Sequence, residues 1–119
     1  MTPLLFLLAS VAGGGGAGLR YLVDVGVMRL AKGRFPWGIV VVNVTGAFAL
    51  GLVTSFLPAA AYVVGAGLLG GYTTFSTSVL DAVALWKDGE RGSAVGQVLV
   101  TFGASVLAAL AGIVVGMLI

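Results

Sequence analysis

Residues 70–78 read Gly70-Gly71-Tyr72-Thr73-Thr74-Phe75-Ser76-Thr77-Ser78, with five hydroxyls in the six positions from Thr73 to Ser78. They sit in the middle of an otherwise apolar stretch from about Ala59 to Trp86. A double glycine followed by two threonines has poor helix propensity. A break at that point frees backbone carbonyls, which at membrane depth are tolerated only inside protein or along a cavity. Ser and Thr bonding back to their own helix accounts for one or two hydroxyls, not five beside two glycines. Freed carbonyls suit a hard cation such as Na+, whereas hydroxyls suit an anion.

The surrounding chain supplies the membrane that this reading needs. Of 119 residues, 60% are hydrophobic and 8% charged, against about 25% charged in a soluble domain, and the mean hydropathy is +1.17. All ten charged side chains fall between Arg20 and Arg34 or between Asp81 and Arg91. The remainder is free to lie in hydrocarbon about 30 Å thick, which takes about 20 helical residues per crossing. Four spans follow: Leu4 to Val23, Gly38 to Leu57, Ala59 to Trp86, and Ser93 to Ile119. The third is long enough to be strongly tilted or broken, and its near-absent connection to the second makes those two a tight antiparallel hairpin. The fold class is therefore an all-α membrane protein, one four-span domain over residues 1–119.

Two local motifs are set aside. Leu4 to Ala12 has the apolar character of a signal-peptide core, but no Lys or Arg precedes it. Asn43-Val44-Thr45 matches a glycosylation acceptor that lies in mid-span. Glycine recurs as small-xxx-small pairs, Gly14/Gly18, Gly67/Gly71, Gly92/Gly96 and Gly112/Gly116, which let helices approach closely in lipid.

The chain has no cysteine and no histidine, which removes disulfides, thiolate or imidazole metal sites and the usual general base. Enzymatic chemistry is left almost without residues. The pI of 9.4 rests on a net charge of only +2, so the basic residues read as topology signals and not as a nucleic-acid surface. Arg29, Lys32 and Arg34 flank the first connection, Lys87 and Arg91 flank the last, and the opposite side has none. The positive-inside rule places both charged loops in the cytoplasm and both termini outside.

Uncharged polar groups in mid-membrane mark interhelical contacts or a pathway. Asn43 and Thr54 lie on nearly one face of span two, and the Asn43 amide can donate to an anion. Gln97, Thr101 and Ser105 recur every four residues and form one polar stripe down span four. Phe75 sits among the hydroxyls, and the positive edge of its ring can face an anion without fixing a charge.

Taken in order, Gly16-Ala17-Gly18-Leu19-Arg20-Tyr21, Val42-Asn43-Val44-Thr45-Gly46-Ala47-Phe48 and Gly70-Gly71-Tyr72-Thr73-Thr74-Phe75-Ser76-Thr77 resemble the CrcB/Fluc family of small fluoride channels. The resemblance implies a multi-pass protein of the cell's inner membrane that exports fluoride passively. It implies an antiparallel, dual-topology dimer with two fluoride pores at its interface and a structural Na+ at its centre. By position, the carbonyls of Gly70 and Thr73 would hold the Na+. Asn43, Phe75, Ser76, Thr77, Ser78 and Ser105 would belong to the fluoride pore, and Arg20 to the aqueous vestibule. Four positions depart from the family pattern: Ser78 stands where a second Phe is usual, Asp81 where Glu is common, Ile39 where Thr is frequent, and Gln97 where an aromatic is expected.

The alternative function is a small proton-coupled multidrug exporter, also four-spanning and dimeric. Such a protein needs an ionisable residue facing its cavity, and span one has no acid from Leu4 to Val23, leaving Asp81 as the candidate. A purely structural subunit has no need of five clustered hydroxyls. The partner is open between a second copy and an oppositely oriented paralogue. The five-to-none charge bias fixes one orientation for this chain, while Ser78 in place of the second Phe lets one of two pores decay.

Overall fold

A computed structural model of the chain describes residues 2–31 and 35–119, with the side chain of Ser76 outside the description. Helix α1 spans Pro3–Ala31 and α2 spans Trp37–Phe56. The third crossing is composite. A 3-10 turn over Pro58–Ala60 leads into a π-helical stretch over Ala61–Leu69, a single turn α3 (Gly70–Tyr72) and then α4 (Ser76–Lys87). Helix α5 (Arg91–Leu118) completes the bundle. The described residues contain no strand, and four segments are long and apolar enough to cross a membrane.

The observed boundaries differ from the expected ones mainly at α1. At 29 residues it is about 43 Å long at 1.5 Å per residue, so its last turns run past the hydrocarbon and carry Asp24 and Arg29 as helix, where a loop was expected. The turn between α4 and α5 is closed by Gly89, whose φ of 84° is open to glycine, while the Glu90 N–H reaches back to the Leu85 carbonyl at 2.9 Å in the manner of a helix C-cap. Pro36, Asp81 and Asp88 line one pocket, so both charged connections lie at the same end. Lys32 and Arg34, counted in the orientation argument, lie outside the described residues.

Glycine sets the helix contacts. A methyl on Gly16 would strike the Leu68 carbonyl, one on Gly71 the Gly13 carbonyl, and one on Gly112 the Phe48 carbonyl. Backbones thus touch between α1 and the third crossing and between α2 and α5, where lipid supplies no hydrophobic force to bring helices together and close packing must do so. Of the four predicted small-xxx-small pairs, Gly67/Gly71 and Gly112/Gly116 make such contacts, whereas a methyl on Gly14, Gly18, Gly92 or Gly96 would meet nothing within 4 Å.

The break in the third helix lies two residues beyond the double glycine, at Thr73. Gly70 is helical (φ −63°, ψ −38°), and the helix ladder still runs from the Thr73 N–H to the Leu69 carbonyl at 2.9 Å. The chain opens at Thr73 (φ −80°, ψ 155°) and resumes as helix at Ser76. This corrects the expectation of a break at Gly70-Gly71: Gly71 is needed for contact with α1 at Gly13, and the extended conformation falls on Thr73.

We expect Gly71→Val to lower the detergent melting temperature, because overpacking of this kind costs about 1–3 kcal/mol. Gly92→Val, at an open position, replaces glycine by a better helix former and should leave the melting temperature unchanged or slightly raised. Circular-dichroism melts of the two variants check the contrast.

Candidate functional site

The interruption at Thr73–Phe75 is held from both sides by α2. Before it, the Tyr72 ring is buried against Val42 and Leu69, and its hydroxyl lies 2.9 Å from Thr45 Oγ1. Within it, Asn43 Nδ2 donates to the Thr74 carbonyl at 2.9 Å and the Thr74 N–H donates to Asn43 Oδ1 at 2.9 Å. The side-chain amide acts as a short piece of partner backbone. Gly46, one turn further on α2, lets the chain lie close, since a methyl there would strike Thr73 Cγ2.

Two carbonyls lose their helical donors as a result. In a continuous helix the Thr74 N–H goes to Gly70, and here it goes to Asn43. The Thr77 N–H, which would go to Thr73, goes to Thr74 Oγ1 at 3.2 Å. The hydroxyls divide accordingly: Thr73 bonds back to the Leu69 carbonyl at 2.9 Å, Thr74 and Thr77 pair at 3.3 Å, and Ser78 receives the Gln97 amide at 2.8 Å. Thr54 bonds to its own helix, at the Leu50 and Gly51 carbonyls.

Beside the break lies an open groove of about 640 Å³. It brings together Asn43, Gly70, Thr73, Phe75 and Ser105, all named from the sequence, with Thr74. Its other wall is small and apolar, from Gly46 and Ala47 to Ala66. The Phe75 ring is 83% exposed at the lip. Ser105 contributes from α5 an oxygen buried without a hydrogen-bond partner. Arg20, half-buried on α1, does not line the groove, nor do Thr77 and Ser78; the Ser76 side chain lies outside the described residues.

Chemically the groove offers donors and no cationic side chain. Asn43 uses one amide hydrogen on Thr74 and retains the other, and Ser105 keeps a hydroxyl. Such a site can replace part of an anion's hydration without binding it too tightly to release. Sequence reasoning missed Thr74 as the residue clamped by Asn43, and Gly46 as the gap that admits it. Both were present in the quoted motifs, but only the fold pairs one motif with the other. It also named Ser78 and Gln97 as separate departures from the family pattern, and here they are hydrogen-bonded to each other.

Comparison with known proteins bears on this geometry. A family model described as "CrcB-like protein, Camphor Resistance (CrcB)" matches residues 7–116. A protein of Rhizobium meliloti (strain 1021) named "Fluoride-specific ion channel FluC" is 40% identical over 90% of this chain and 91% of its own length. One of Cereibacter sphaeroides (strain ATCC 17029 / ATH 2.4.9) with the same name is 44% identical over 92% of this chain and 90% of its own. A third of that name, from Agrobacterium fabrum, is 40% identical over 92% and 94%.

Proposed function

The chain belongs to the CrcB-like family, and on that footing we propose that it is a multi-pass membrane channel, not an enzyme, that conducts fluoride out of the cell. The observation that carries the reading is the Asn43-bracketed break, which puts an amide, freed carbonyls and an exposed Phe ring on one groove. Fluoride accumulates when HF crosses the bilayer and dissociates in a near-neutral cytoplasm, so a passive path suffices for resistance. Asn43 donates to the ion, Phe75 presents its ring edge, Ser105, Ser76 and Thr77 supply further donors, and Arg20 draws the anion toward the entrance.

The multidrug-exporter alternative loses ground on the same facts. Asp81 lies beside Pro36, Asp88 and Leu85 at the charged end, away from the groove residues.

A structural Na+ fits the residues present. The Gly70 and Thr73 carbonyls, deprived of their helical donors, are hard oxygen ligands of the kind such a cation takes. Bound there, it would supply positive charge near the path while Asn43 keeps the break open. The groove's open face and the exposed Phe75 support an antiparallel dimer, in which a second copy or an oppositely oriented paralogue closes the pore.

Four outcomes test this reading. Purified protein in liposomes should release fluoride, followed with an ion-selective electrode, and ignore a chloride challenge. Asn43→Asp should abolish that flux: a carboxylate about 4 Å from the ion costs about 4 kcal/mol at an effective dielectric near 20, roughly a thousand-fold. Undiminished efflux from Asn43→Asp removes Asn43 from the path. Protein purified and assayed without sodium should lose flux and regain it on sodium addition, whereas indifference to sodium removes the cation from the account. Finally, the charge bias predicts that Lys87→Cys labels with an impermeant thiol reagent from one side only. Labelling from both sides, with robust flux from the chain alone, assigns the self-paired dimer.

A further inference from the structure

A second groove, of about 350 Å³, runs between α4 and α5. Alanine, valine and leucine line it, with Trp86 at one end. Ala82 and Ala94 are its least exposed members and form the floor, while Val79, Val83 and Trp86 stand exposed along the α4 rim. From Val79 to Trp86 that rim rises about 10 Å. At Trp86 the groove meets charge. The Arg91 guanidinium lies 4.7 Å from the centroid of the Trp86 ring, a cation–π distance, and exposed Lys87 follows Trp86 in the same turn. Trp is also the side chain that settles at the headgroup level of a bilayer.

The acids of this end face elsewhere. Asp81 and Asp88, with Ala84 and Leu85, line a separate pocket against Pro36, which is the other face of α4 by helical spacing, and Glu90 is half-buried at the start of α5. A small soluble anion has no use for the apolar trench, and an uncharged lipid has none for the cation at its mouth. An anionic lipid uses both. We propose that this groove binds one anionic phospholipid of the cytoplasmic leaflet, of the phosphatidylglycerol type, with an acyl chain laid over Ala82 and Ala94 and its phosphate beside Arg91. The guanidinium can offer paired N–H donors to a phosphate while its face stays on the indole. A lipid so held braces α4 against α5, the helices on either side of the Gly89 turn, and favours keeping the charged end at the anionic leaflet. The proposal stands apart from the fluoride reading, since it depends only on this groove and the side chains at its mouth.

The chain has two tryptophans, Trp37 and Trp86, so Trp37→Phe leaves Trp86 as the sole indole reporter. That variant is reconstituted into phosphatidylcholine vesicles containing increasing fractions of either phosphatidylglycerol or phosphatidylcholine brominated on an acyl chain. Trp86 fluorescence should be half-quenched at about fivefold less brominated phosphatidylglycerol than brominated phosphatidylcholine, the effect of one basic side chain at an anionic surface. Arg91→Gln in the same background should bring the two lipids to equality. Ala82→Phe, which fills the groove, should also abolish the preference, with circular dichroism confirming that each variant stays helical. Equal quenching by the two lipids before either substitution, or a preference that survives Arg91→Gln, overturns the proposal. So does a Trp86 that neither lipid quenches, the result expected if a second copy of the chain covers the groove.

Discussion

The fold turns on one side chain lying across one peptide unit. In hydrocarbon a peptide group without a partner costs several kcal/mol, so a helix that opens in mid-membrane must be answered by something that both donates and accepts. Asn43 does so, with its amide meeting the Thr74 N–H and carbonyl at 2.9 Å each. A hydroxyl could not bridge the two groups as a planar amide does, and a carboxylate would face the carbonyl with like charge. Because the break is satisfied from α2, the rest of the third crossing can stay helical on both sides of it, π-helical before and α-helical after.

That arrangement constrains the packing around it. The third crossing has to lie close to α1 and α2 at once, and glycine supplies the room: Gly16 and Gly71 on the α1 side, Gly46 on the α2 side. The same logic joins α2 to α5 through Gly51, Gly112 and Gly116. With those faces occupied, the side of the break that carries Phe75 is left open, and the polar column of α5 ends beside it. Donor groups thus collect where backbone regularity has been given up, and no basic residue is among those lining the groove.

Much of this could be read in advance because membrane solvent is strict. Ten charges in two windows fix four crossings, and a run of five hydroxyls can belong only to protein interior or a path. The location of the break was less legible. Helix propensity points at Gly70-Gly71, but propensity is a local quantity, and Gly71 is packed as helix against Gly13 across the bundle. The extended conformation passed to Thr73, where Asn43, thirty residues earlier, could reach the backbone. Pairings of that range leave no periodic trace in a single sequence. The same holds for Ser78 and Gln97, which read as two unrelated departures until the fold joined them. The long reach of α1, through Asp24 and Arg29, was hidden for a simpler reason: charges were taken to end the span, while a helix can continue into water.

The central claim is that donors gathered at a helix break, with no basic side chain among them, select fluoride. Its most direct measurement is the reversal potential of the purified protein in a planar bilayer, with fluoride on one side and chloride on the other at equal sodium. The account predicts a current that reverses far toward the fluoride equilibrium potential. A reversal near zero, showing equal passage of the two halides, would contradict it.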